Sequence, residues 1–314
     1  MGTVVISIDA ELAWGFHDLP DPPENRISRS RWGWATLQEL CERYSIPTTW
    51  AIVGHLFLEH CDSYHHDHPL GADWFERERT DWADARELRF GTDLIELLIE
   101  GDVAHDIGCH TFSHVEFGSE QATQTVAREE LALFTAATSA YDLPFTSFIF
   151  PRNNIGNRDV VAEWGFSCYR GTQPRRGRNG PVSRPLAKLS QATVSAPPLV
   201  QPTVDEYGLI NIPASLYLFG FEGRFRRLAE SIWADPVVKQ AHHGIEQAAQ
   251  TDKIFHMWLH PNNITDEADV RRLDAIWSTL DRERRAGRIE IKTMREVAQA
   301  VDADRSKAVS TPAE

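Results

Sequence analysis

A chain of 314 residues with 42% hydrophobic side chains holds enough apolar material for one large α/β core or two smaller ones. Its formal charge of −14 disfavours nucleic acid and anionic membrane surfaces as partners, since both reward clustered Lys and Arg. No stretch approaches the roughly 18 consecutive apolar residues of a membrane span.

Apolar runs near 3–9, 47–53, 103–107, 145–150, 166–169, 208–212, 254–259 and 288–292 predict strands. Amphipathic stretches near 31–44, 91–100, 120–140, 157–164, 222–233, 239–250, 267–286 and 293–302 predict the helices between them. Ser119 or Glu120 is the expected start of the third helix, and Gly165 and Gly287 stand where helices should stop. Strands alternating with helices imply a parallel sheet under helical cover, open or closed into a barrel. Two polar stretches, 60–90 and 172–207, read as insertions, and such loops form functional rims or mobile cover. No repeat or linker divides the chain. One domain is expected over 1–302, followed by a small, polar, disordered tail over 303–314. Cys41, Cys61, Cys109 and Cys168 form no C-x-x-C pair and read as thiols in a reducing compartment. With no basic n-region ahead of the first apolar run, the expected location is cytoplasmic.

Four predicted strands end in residues that carry chemistry. In parallel α/β folds the site lies at the strands' C-terminal ends, where the following loops converge. Asp9 and Glu11 straddle Ala10 at the end of the first run, so strand alternation can point both carboxylates toward one site. His110 and His114 follow the third run, and one helical turn would bring both rings to one divalent ion. Two imidazoles with one carboxylate leave positions open for water and substrate, and the second carboxylate can then serve as general base. Arg152, after Pro151 and before Asn153, can hold the base, and the 153–156 turn offers N–H groups for an oxyanion. His260 ends the run Ile254 to Leu259 and can carry a proton to a leaving group.

Each of these residues has a structural alternative: a helix cap for the acids, a surface turn for Arg152, a backbone-bonded ring for His260. Trp14 and Trp258 flank the site and can wall a sugar or acyl pocket. His256 and His105 read as structural. His65-His66-Asp67-His68 reads as a solvated loop although it could bind a metal on paper, and so does the basic knot at Arg175, Arg176 and Arg178.

These motifs resemble the polysaccharide deacetylases, the nodulation-factor-deacetylase-like carbohydrate esterases. Ile107-Gly-Cys-His110-Thr-Phe-Ser-His114 is similar to the family's metal-binding histidine motif. Phe150-Pro151-Arg152-Asn153 is similar to its arginine motif, in the variant of cell-surface polysaccharide pathways, and Phe255 to Pro261 to its late histidine motif. The resemblance runs in order from Asp9 to Arg295. It implies a distorted (β/α) barrel of about seven parallel strands and one divalent metal ion, commonly zinc. It also implies hydrolysis of an N- or O-acetyl group from a sugar by metal-held water.

The family's first motif has two adjacent aspartates, base then ligand, whereas position 10 here is alanine. In members with a separated acidic pair the resemblance implies Asp9 as base and Glu11 as metal ligand with His110 and His114; the residues alone leave the exchange open. His260 is then the acid, Arg152 holds Asp9, and Trp14, Asn153 and Trp258 contact an acetylated sugar or glycan precursor. The family's tryptophan-bearing fourth motif is not recognisable around Tyr169-Arg170-Gly171. An allantoinase-like amide hydrolase and a non-catalytic carbohydrate-binding relative are the alternatives on the same scaffold.

Overall fold

The structure is a computed structural model describing residues 1–61, 65, 67–174, 197–220 and 235–310. The expected helix at 222–233, the Arg175 to Arg178 knot and His66 lie outside these residues. The architecture grows outward from β1 (Gly2–Ala10), which is buried on both faces. Val4, Ile6, Ile8 and Ala10 join the large core under the helices, while Val5 joins a second core with Ala51, Ile149, Cys168 and Ile212. Side chains alternate across a strand, so Ser7 and Asp9 share the inward face with Val5.

Parallel pairing places β2 (Thr49–Ile52) on one edge of β1 and β9 (Ile254–Leu259) on the other. From β2 the sheet continues through β3 (Asp106–Cys109), β4 (Ser147–Phe148), β5 (Cys168–Gly171) and β7 (Ile210–Pro213). The two-residue strand β6 (Thr203–Val204) adds the only antiparallel ladder among the named strands, and β10 (Ile289–Ile291) pairs the start of β1. β8 (Leu216–Tyr217) follows β7 after two residues but pairs β9. Ala214 donates its N–H to Gly171 O at 2.9 Å and Ser215 donates to His256 O at 2.7 Å. The segment 210–217 therefore leaves β5 and reaches β9, bringing the two ends of the sheet together. The staves are β1 to β5, the β7–β8 segment and β9, the distorted barrel of about seven parallel strands that the sequence implied.

Helices cover the outside. α1 (Glu24–Tyr44) buries Trp34, Leu37, Leu40 and Cys41, and the Trp34 and Trp50 rings lie 5.2 Å apart. The chain continues through the short α2 (Glu76–Arg79) and α3 (Arg86–Arg89), then α4 (Thr92–Ile99), α5 (Gln124–Ala137) and α6 (Arg158–Glu163). Next come α7 (Pro236–Ala248), α8 (Glu267–Arg285) and α9 (Met294–Ser310). The start of α9 floors the barrel. Met294, Val297 and Ala298 pack under Val5 and Ala51, while the N–H groups of Met294 and Arg295 find Thr49 Oγ1 at 2.8 Å and Asp106 Oδ2 at 3.2 Å. These acceptors satisfy donors that a helix start leaves unpaired.

Several boundaries differ from expectation for identifiable reasons. α1 begins at Glu24, seven residues early, because its first turns are polar and bury only Ile27 and Ser30. β3 starts at Asp106, where pairing with Thr49 begins, and Val103 lies before the ladder. α5 takes Thr123, not Ser119 or Glu120, as its cap. α9 continues through the expected disordered tail to Ser310, since alanines, acids and bases suit a helix as well as a tail. Within the 60–90 insertion Phe75, Trp82 and Phe90 are buried against the barrel rim without a regular period.

Burial also fixes a charge state. His105 is pushed down to about 4 by desolvation, only partly offset by its bond to the Thr48 backbone. A group whose folded value lies below its ordinary 6.5 stabilises fully above pH 6.5, and that stability is lost as pH falls toward 4. The expected cost at the acid end is about 3 kcal/mol. Denaturant midpoints from pH 7 to 4 should fall less steeply for His105→Asn than for the parent; equal slopes would show that His105 is not buried neutral.

Candidate functional site

At the C-terminal end of the barrel the inward face of β1 changes from apolar to charged. Val5 lies in the floor, Ser7 and Asp9 stand above it, and Glu11 follows just past the strand. Gly15 permits this turn, since a Cβ there would stand 2.1 Å from Glu11 Oε1. Glu11 is 5% exposed and Asp9 1%, and a carboxylate at that depth needs partners.

Glu11 meets the histidine pair. Its Oε2 lies 3.6 Å from His110 Nε2 and 3.1 Å from His114 Nε2. Neither Nε2 has an aligned hydrogen bond, although both rings are buried. His110 donates Nδ1–H to Ile149 O at 2.8 Å, which leaves the lone pair on Nε2, facing Glu11. Asn262 donates to the other Glu11 oxygen at 2.9 Å and is itself held by Arg26 at 2.7 Å. Burial raises the Glu11 carboxyl, but the imidazoles of His260, His110 and His114 hold it well below its ordinary value.

The segment 110–114 is not the single helical turn expected. Thr111 and His114 take positive φ of 58° and 66°, a conformation unfavourable for residues with a Cβ. Glu130 of α5 stabilises it by accepting the N–H groups of Phe112 and Ser113 at 2.9 Å each, with the Ser113 hydroxyl at 2.5 Å. Gly54 and His55 donate to Thr111 O and Phe112 O at 2.8 and 2.9 Å. The kinked turn brings the two ring centroids within 5.2 Å.

Asp9 is held by Arg170 of β5, not by Arg152. The two Arg170 Nη atoms donate to the two Asp9 oxygens at 2.5 and 2.7 Å, a bidentate pair. Nη1 also reaches Ser7 Oγ at 3.2 Å, and Nε and Nη2 reach Asn153 Oδ1 at 3.1 and 2.9 Å. All five guanidinium N–H groups therefore have acceptors, and Trp258 lies 4.3 Å from the guanidinium carbon. Burial raises the Asp9 carboxyl, and Arg170 first, then His260, bring it below its ordinary value. Beneath, Ser7 Oγ lies 2.9 Å from His256 Nε2, and the other nitrogen of that ring faces Ile212 O at 3.2 Å. Desolvation takes His256 down to about 3, a neutral structural ring as expected.

Arg152 turns outward because its backbone is left-handed, φ 51°, in the 3-10 turn Pro151–Asn153. It pairs with Asp18 and Glu116 at 2.5 and 2.7 Å on the open rim. Asn153, expected to meet substrate, uses its side-chain oxygen to hold Arg170. Trp14 is 1% exposed, with its N–H on Arg89 O and its ring against His55, so it lies behind the site and not in its wall. Trp258 does flank the site, stacked on Tyr217 at 4.3 Å. His260 Nε2 stands 3.6 Å from Asp9 Oδ2 and 3.9 Å from Glu11 Oε1, distances one small molecule can bridge. Its Nδ1 and backbone N–H both meet Asn263 Oδ1, at 3.2 and 2.9 Å, and Tyr217 OH donates to the same oxygen at 3.0 Å.

Sequence reasoning missed Arg170, Asn262 and Asn263. A signal existed for the first: an arginine inside the strand-like run Phe166 to Gly171 is buried only if a carboxylate meets it. The His65 and His68 reading is also corrected, since both face inward: His65 meets Glu78 at 2.7 Å and the buried His68 meets Glu130 at 3.0 Å.

No protein-family profile matches the sequence, and no curated protein matches it significantly. Solved structures do. A polysaccharide deacetylase from Mycobacterium smegmatis superposes with a TM-score of 0.62 at 12% identity, over 96% of this chain and 91% of that one. A polysaccharide deacetylase from Pseudomonas aeruginosa and a PuuE allantoinase each give a TM-score of 0.55 at 12% identity, over 95% of this chain and 89% of theirs. The chain has the fold of the polysaccharide deacetylases, and the allantoinase shares it.

The two arginines separate cleanly in a stability measurement. Arg170→Ala leaves the Asp9 charge buried without its partner and should cost about 3–5 kcal/mol. Arg152→Ala removes a half-exposed surface pair and should cost about 1 kcal/mol or less. Comparable losses in urea unfolding would refute the assignment of Arg170 as the buried partner.

Proposed function

We propose that the protein is a metal-dependent hydrolase that removes an acetyl group from a carbohydrate. One observation carries this reading. Two buried imidazole nitrogens without aligned partners converge on one carboxylate oxygen, beside a second carboxylate held by an arginine and a histidine in reach of both. Glu11, His110 and His114 offer the two nitrogens and one oxygen that suit a catalytic divalent ion such as zinc. When bound, such an ion polarises a carbonyl and makes water a stronger acid.

The remaining chemistry belongs to the chain. Asp9, ionised because Arg170 faces it, accepts the proton of water as its oxygen attacks the acetyl carbon. Arg170 leaves that carboxylate one orientation, and Asn262 does the same for Glu11. His260 is held through Asn263 and keeps Nε2 toward the carboxylates. It donates a proton to the departing sugar nitrogen or oxygen, so acetate and the free amine or hydroxyl leave. Trp258 and Tyr217 offer an aromatic face beside this point on which a sugar ring can stack. A nucleotide-linked or lipid-linked sugar precursor or a small glycoside is the substrate class, met in a reducing compartment in keeping with the four free cysteines.

Acetate release from acetylated sugars should require added divalent ion. His260→Ala should lower kcat about 100-fold or more with metal content unchanged. Ring opening of a cyclic ureide without acetate release would replace this reading with amide hydrolysis. A fully metallated protein inert toward every acyl substrate would leave carbohydrate binding instead.

A further inference from the structure

A second cluster of metal-ligating side chains lies behind the first, in the insertion between β2 and β3. His55, Cys61, His65 and Glu78 bring one ligand atom each within 4.8 Å of the others. His55 Nε2 is 3.2 Å from Cys61 Sγ and 2.7 Å from Glu78 Oε1, and His65 Nε2 is 2.7 Å from Glu78 Oε2. Glu78 Oε1 is buried, yet its close contact with His55 is not aligned as a hydrogen bond. His55–Cys61 and His65–Glu78 are hydrogen bonds that gather the four ligand atoms and turn both rings toward one carboxylate, while Arg89 Nη1 stands 3.7 Å from Glu78 Oε1.

The surroundings fix that orientation. His55 Nδ1 meets Arg89 O at 3.2 Å. With the proton on Nδ1, the Nε2 lone pair turns toward the cluster, the relation His110 has to Ile149 O. The His65 ring lies flat on Phe75, with centroids 3.7 Å apart and planes within 8°. His55 is packed between Trp14 and Phe112 at 4.4 and 5.5 Å.

We propose that His55, Cys61, His65 and Glu78 form a structural site for a divalent ion that prefers nitrogen and sulfur, of zinc type. Four ligands from one insertion close a tetrahedral shell, as structural sites require, while the Glu11 set keeps open positions. Cys61 loses its thiol proton to solvent on binding; thiolate, carboxylate and two neutral imidazoles then carry −2 against the ion's +2. Ligand atoms around zinc stand about 3.3–3.6 Å apart, so the 2.7 Å contacts of Glu78 with the two rings open by about 0.6–0.9 Å on binding. The ion would pin Cys61, His65 and Glu78 to the backbone at Gly54 and His55. That backbone donates to Thr111 and Phe112 of the turn bearing His110 and His114. The site owes nothing to the hydrolase reading.

Cobalt reconstitution of the metal-free protein distinguishes the two sites, because only the second contains sulfur. The expected result is two ions per chain and a thiolate-to-cobalt charge-transfer band in the near ultraviolet. Glu11→Gln should keep that band and one ion, and Cys61→Ser should abolish the band. In Glu11→Gln, removing the remaining ion with a chelator should lower Tm. No thiolate band in the parent, or a band that survives Cys61→Ser, would overturn the proposal, whereas one ion per chain with the band present would keep this site and count against the Glu11 set instead. The parent protein decides the first even if a variant fails to fold.

Discussion

Asp9 and Arg170 meet at 2.5 and 2.7 Å inside the barrel, on staves four apart in the sheet. Two buried charges are costly unless every donor and lone pair is used, and here the guanidinium loses none of its five N–H groups. The same bonds enlist Ser7 from β1 and Asn153 from the turn after β4, while Trp258 of β9 covers the guanidinium face. The pair therefore ties the barrel across its interior and fixes Asp9 at the rim. Fixing Asp9 also fixes which carboxylate is left for the histidines.

Two acids on one face of a strand would compete for a cation if both were free. The fold separates them by partner: Asp9 is neutralised by an arginine, and Glu11 faces two imidazoles whose Nε2 atoms have no other aligned partner. His256, kept neutral by burial, sits under the arginine without adding a second positive charge. The kinked 110–114 turn is held through Glu130 from α5, so the helical layer shapes the site as well as covering it.

The parallel strands and the inward alternation of β1 were legible because Val, Ile and Phe runs ended in residues that carry chemistry. The pairing of Asp9 was not. Arg152 stands at a strand end, where sites are expected, but a positive φ turns it to the surface. Arg170 lies inside a strand, where a charge signals a long-range partner that local pattern cannot name. The inward-facing His65 and His68 were misread for a related reason: the apolar residues around them have no period, because they fill the irregular space around Trp14 and His55 and form no regular face. The boundary misses at α1 and α9 share one cause, since exposed helical turns have the same composition as solvated chain.

The division of roles between the two acids is the centre of this account, and metal affinity tests it without reference to any substrate. Competitive zinc titration with Glu11→Gln and Asp9→Asn is the direct measurement, reading the class of site to which His110 and His114 belong. The account expects Glu11→Gln to lose that class and Asp9→Asn to retain it within about tenfold. Loss with Asp9→Asn and retention with Glu11→Gln would contradict it.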